Sequence, residues 1–151
     1  MGDAALRTAV REEMTAALKA GDRARLGALR MLVAAITNRE KELMHELSDD
    51  EVREVAGREV KKRSESIEAF ESAGRTELAE KERAERAVLE PYAPVQLDET
   101  AVDSLIDEAM TSTGATSVKE MGKVMGVVMG KAKGQVDGAL VQRKVRERLG
   151  G

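Results

Sequence analysis

Glycines recur at four-residue steps, Gly122, Gly126, Gly130, Gly134 and Gly138, with Lys119, Lys123, Lys131 and Lys133 set among them. Glycine inside a helix costs about 1 kcal/mol relative to alanine, so such a run asks for a reason. At 3.6 residues per turn, Lys119, Gly122, Lys123, Gly126 and Gly130 share one helix face. Val118, Met121, Val124, Met125, Val128 and Met129 gather nearly opposite and serve a core, which leaves the glycine face outward. Small residues there admit the close approach of another backbone. Lysines beside them favour an anionic one such as RNA phosphate, while a GxxxG-like seam would equally admit a partner helix. The candidate RNA-binding residues are therefore Lys119, Gly122, Lys123, Gly126, Lys131 and Lys133, with Arg143 and Lys144 as outer positions. Gly126 to Lys131 does not make a P-loop, because the spacing is one residue short and Ala132 replaces the Mg²⁺-binding hydroxyl.

Other chemistry is poorly supplied. Cysteine is absent and His45 is the only histidine, so thiolate nucleophiles, cysteine zinc sites and an HExxH site are excluded. His45 is expected near a helix end, where a cation complements the carbonyl groups. No serine lies in a G-x-S-x-G elbow. No catalytic residue, metal or cofactor is expected from these residue types and spacings. Arg63 is unusual among the basic residues of its segment, because helical spacing places it with Ile67 and Phe70 rather than with the solvated Lys61 and Lys62. Glu59 lies one turn earlier, and Glu40 falls within the apolar stripe of the preceding helix. A partly buried structural cluster of Arg63 with Glu59 or Glu40 is expected, setting register rather than performing chemistry.

The elements that would position these residues are helices. Two aromatic residues, Phe70 and Tyr92, in a chain rich in Ala, Glu, Leu, Lys, Arg and Met point to an all-α fold. Asp3 is the expected cap of a first helix that stops at Gly21, and Asp22 caps a second whose stripe runs from Leu26 to Leu47. Ser48 to Glu51 reads as a capping box opening a third helix that ends at Ala73-Gly74, and a charged fourth spans about 76 to 90. Pro91 and Pro94 predict an extended path and a domain boundary, with an N-terminal helical bundle over residues 1–92 and a three-helix C-terminal lobe over 93–151. In that lobe Asp98 caps one helix ending at Thr113-Gly114. Ser117 to Glu120 reads as a second capping box, and Asp137 caps the last helix.

Charge is unevenly spread within a chain of net −3. Residues 95 to 118 hold five acidic and no basic side chains, whereas residues 119 to 151 hold eight basic and three acidic. A local anion site is thus compatible with an acidic total. The longest apolar run, Met31 to Ile36, is too short to cross a bilayer, and acidic and basic residues break up any N-terminal signal core. With no cysteine, the chain reads as cytoplasmic and without a membrane partner.

The stretches Leu29 to Glu40, Lys61-Lys62-Arg63 through Ser66 to Phe70 and on to Arg75, and Gly114 to Ser117 through Met121 to Gly126 resemble the GatB/YqeY family over nearly the whole chain. The chain looks like the stand-alone YqeY type. Its C-terminal lobe is similar to the tail of GatB, the tRNA-binding subunit of the glutamine-dependent aminoacyl-tRNA amidotransferase, and a similar module is appended to some glutaminyl-tRNA synthetases. The resemblance implies tRNA as a partner of the C-terminal lobe and tips the glycine face toward phosphate. It also implies an amidotransferase or aminoacyl-tRNA synthetase partner. Amide transfer, a carbon–nitrogen ligase activity with glutamine as amido donor, resides in the large part of GatB that this chain lacks, so the activity is not carried over. The pattern departs at Gly130, where proline is usual, and at Val95 and Gln135, each in place of a basic residue. The alternative is a protein-interaction module docking through the glycine face.

Overall fold

The computed structural model describes residues 5–151. Among them are seven α-helices and two 3₁₀ turns and no strand, an all-α protein. They fall into two compact units that divide at the Pro94–Val95 bond.

The first unit contains α1 (Ala5–Ala20), α2 (Arg23–Leu43), α3 (Asp49–Ser72) and α4 (Thr76–Leu89). The expected cap Asp3 lies outside the described residues. Gly21 ends α1 in the left-handed region at φ +71°, and the Asp22 carboxylate accepts from the Arg25 amide at 3.1 Å to open α2. At Ser48 the capping box is complete: the hydroxyl accepts from the Glu51 amide, and the Glu51 carboxylate accepts from the Ser48 amide at 3.0 Å. Gly74, also at φ +71°, turns the chain from α3 into α4. Val10, Leu29, Leu32, Ile36, Leu47, Val52 and Leu89 are buried together as the core of this unit.

Two local expectations are corrected here. Helix α2 stops at Leu43 rather than running to Leu47, because Met44 adopts a left-handed conformation and its amide closes back on the Glu40 carbonyl. Leu47 is buried from the connecting segment, where it needs no helical period to reach the core. Pro91 does not start an extended path. Its fixed φ suits the start of a helical turn, so Glu90–Tyr92 continues as a 3₁₀ turn, and the backbone becomes extended only at Ala93. Ala93 is in the first unit's core, and the Pro94 ring lies so close to Gly57 that a Cβ there would meet it at 3.2 Å.

The second unit contains α5 (Glu99–Thr113), α6 (Met121–Lys131) and α7 (Gly138–Arg148). Asp98 and Asp137 cap α5 and α7 through their carboxylates, and Gly114 closes α5 at φ +66°. Val102, Ile106, Ala109, Val124, Val128, Val141 and Val145 fill the core between the three helices. The second capping box does not form. Residues Val118–Glu120 make a 3₁₀ turn, in which the Glu120 amide donates to the Ser117 carbonyl at 3.0 Å instead of to its hydroxyl.

Candidate nucleic-acid interface

Helix α6 buries Val124 and Val128 completely and holds Met121, Met125 and Met129 partly buried at the edges of the same contact. That rotation turns Gly122, Gly126 and Gly130 to solvent, and a Cβ added at any of them would meet nothing within 4 Å. No helix of the second unit packs on this face. Lys119 in the 3₁₀ turn and Lys123 in α6 are both exposed and form no ion pair among the described residues. Lys133, in the connection after α6, is likewise exposed and unpaired.

The remaining candidates are placed differently. Lys131 is half-exposed and pairs with Glu108 of α5 at 3.5 Å. Lys144 does not stand free: its ammonium lies 2.7 Å from Glu99 and 3.0 Å from Asp103, both on α5. Side-chain hydrogen bonds to Glu99 and Asp103 hold its proton more tightly than in a free lysine. Arg143 is exposed on the far side of α7 and has no acidic partner among the described residues. Two arginines escaped the sequence reading. Arg146 is exposed and, like Arg143, forms no ion pair among the described residues, while Arg148 binds Asp107 and lies 3.6 Å from Asp103. The clustering of basic residues in the last helix was the available signal, but periodicity alone could not say which of them faced α5.

The buried polar cluster of the first unit also has other partners than expected. Arg63 and Glu59 are each 6% exposed. The Arg63 Nε faces Glu85 at 3.2 Å and Glu82 at 3.4 Å, both from α4, and its Nη2 donates to the Met31 sulfur at 2.8 Å. Glu59 pairs instead with Lys62 at 3.1 Å, and Glu40 accepts from Arg7 at 2.6 Å and from the Leu47 amide at 2.9 Å. The three residues grouped by sequence thus serve three separate contacts, because α3 presents the Arg63 guanidinium to the carboxylates of α4 and to Met31 of α2 rather than to Glu59 or Glu40. Burial pushes the Glu40 carboxyl up, but the Arg7 and Leu47 hydrogen bonds outweigh it and hold the group below its ordinary range. Tyr92 donates to Glu13, which also binds Arg25; burial and the Glu13 bond both disfavour the phenolate. His45 lies beyond the end of α2, where its Nδ1 is 2.8 Å from the Glu46 carbonyl and its Nε2 3.5 Å from Glu51, so it does not cap that helix.

A cleft of about 210 Å³ between α2 and α3 is floored by Ala35 and Val55 and rimmed by Arg39, Glu42, Arg58, Glu59 and Lys62. Two of its three cations already pair with its two carboxylates. No group of three or more metal-ligating side chains occurs among the described residues. No helix there is long and apolar enough to cross a membrane.

The described residues thus form a small all-helical protein with a capped three-helix unit and an open glycine-lysine face. The family model described as Yqey-like protein matches residues 7–149, and the chain belongs to that family. No curated protein matches it significantly.

Proposed function

We propose that the chain is an accessory tRNA-binding protein of aminoacyl-tRNA metabolism, related to the tail of the glutamine-dependent amidotransferase and acting with a separate catalytic partner. The observation that carries this reading is the exposed face of α6, where Gly122 and Gly126 leave room for a sugar-phosphate backbone beside two lysines with no acidic partner. Lys119, Lys123 and Lys133 are the phosphate contacts, and Arg143 and Arg146 supply further charge on α7. Such a surface reads shape rather than sequence, since it offers cations and backbone clearance but no aromatic platform for unstacked bases.

The test is fluorescence anisotropy with labelled tRNA across a salt series. Lys123→Glu should weaken binding and lower the slope of log affinity against log salt by about 0.7 to 0.9, the contribution of one phosphate contact. Gly126→Leu should weaken binding by lifting the RNA from the helix, with the fold intact because the added side chain meets open space. Lys61→Glu, in the first unit, is the control and should change little. Absence of tRNA binding at low salt, or a larger loss from Lys61→Glu than from Lys123→Glu, would overturn the proposal. Recovery of a protein partner whose binding is insensitive to salt would instead establish the glycine face as a helix-docking seam.

A further inference from the structure

The basic excess of residues 119 to 151 disappears once the lobe is folded. The five acidic residues of 95 to 118 join three from the later segment, so Val95–Gly151 holds eight acidic against eight basic side chains and is electrically neutral. The neutralisation is also local. On α5, Glu99, Asp103 and Asp107 recur at four-residue steps, forming one row that faces α7. Glu99 and Asp103 hold Lys144, Asp103 and Asp107 hold Arg148, and Glu108 at the next position reaches Lys131. Three of the eight cations are thereby occupied, and all three were free to count toward an anion site until the helices packed.

We infer that the acidic row of α5 is an internal competitor for RNA phosphate, occupying Lys144 and Arg148 in the free protein and setting the affinity of the lobe. The inference rests on the tRNA-binding reading above and specifies its regulation. Its geometry suits competition better than permanent structure. The side chains of Glu99, Asp103 and Asp107 are 72%, 40% and 71% exposed, against 16% for Lys144 and 30% for Arg148, so the acids are the partners that can swing away without unpacking a helix. Pairs this exposed are weak and screened by salt, which lets a polyanion displace them. The apolar contacts of Val102, Ile106, Val141 and Val145 hold α5 against α7 independently of those charges. A ligand phosphate approaching α7 therefore meets Arg143 and Arg146 unopposed, but reaches Lys144 and Arg148 only by displacing acid from them.

The experiment measures tRNA anisotropy for the full-length protein, for the triple variant Glu99→Gln/Asp103→Asn/Asp107→Asn, and for Lys144→Gln/Arg148→Gln in both backgrounds, with circular dichroism to verify helix content. Releasing two cations adds two phosphate contacts, so the salt slope of the triple variant should steepen by about 1.4 to 1.8. Its advantage over the wild type should then shrink by roughly 7- to 12-fold between about 50 mM and 200 mM salt. In the Lys144→Gln/Arg148→Gln background the same three substitutions should confer most of that advantage no longer. A wild type that binds while the triple variant binds no tighter, or a gain equally large without Lys144 and Arg148, would overturn the inference and leave the tRNA reading standing. If the wild type does not bind at low salt, the tRNA reading falls and the inference falls with it.

Discussion

Replacing Arg63 with leucine tests the energetics of the first unit most directly. The Arg63 side chain is 7% exposed, and its Nε is the group facing the carboxylates of Glu82 and Glu85, whose side chains are 20% and 14% exposed. Arg63→Leu leaves two like charges from adjacent turns of α4 against an apolar surface, with no cation to offset them. Breaking a buried ion pair from one side costs about 3–5 kcal/mol; the residual solvent contact of the two carboxylates argues for the lower end, about 3 kcal/mol. For a unit of this size that corresponds to a fall in Tm of roughly 12–24 °C. The assay is built into the chain, because Tyr92 is its only tyrosine, there is no tryptophan, and the ring is buried in the first unit. Tyrosine emission during urea or thermal unfolding therefore reports this unit and not the other. Arg63→Leu/Glu82→Gln/Glu85→Gln should regain most of the loss, since removing both sides of the pair leaves no uncompensated charge. A loss below about 1 kcal/mol, or a triple variant no better than the single, would refute the argument that burial makes this contact costly to break.

Three further outcomes follow from the local geometry. Glu40→Gln should destabilise the first unit by about 1–3 kcal/mol at neutral pH, because Arg7 and the Leu47 amide lose a charged acceptor. Since the folded-state carboxyl is held below its ordinary value, the stabilisation is present above about pH 4.5 and is lost as pH falls through the depressed value. The difference between wild type and variant should therefore vanish in acid, which a series of urea midpoints against pH will show. Ser48→Ala should cost about 1 kcal/mol through loss of the capping box, whereas Ser117→Ala should be nearly neutral because its hydroxyl caps nothing; paired thermal melts separate the two. Gly126→Ala should raise the stability of the second unit by about 0.8–1.0 kcal/mol, read by circular dichroism, as the new methyl enters open space on a helix.

Much of the fold was legible because helix signals are short-range. Apolar residues at three- and four-residue steps, an S-x-x-E box at Ser48, capping aspartates at positions 22, 98 and 137, and glycines at 21, 74 and 114 act within one or two turns of themselves. The outward turn of Gly122 and Gly126 belongs to the same class, since the apolar residues opposite leave them no other direction. Even locally, patterns were not decisive where two backbone solutions compete. Ser117 and Glu120 have the capping residues, yet a 3₁₀ bond to the Ser117 carbonyl takes the amide. Met44 ends α2 by adopting a left-handed conformation that methionine seldom favours.

Only the tertiary structure decided which charge meets which. Arg63 and Glu59 share a helix face region by periodicity, but the packing of α3 on α4 gives Arg63 to Glu82 and Glu85 and leaves Glu59 to Lys62. Lys144 and Arg143 are chain neighbours with the same charge, and one is held by acids 45 and 41 residues earlier while the other is free. The sequence by itself determined the helices, their caps and their apolar faces, because those depend on neighbours one turn away. The partners of the charged residues depend on how one helix is rotated against another, and that rotation is set by the summed packing of the core, which no single stretch of chain contains.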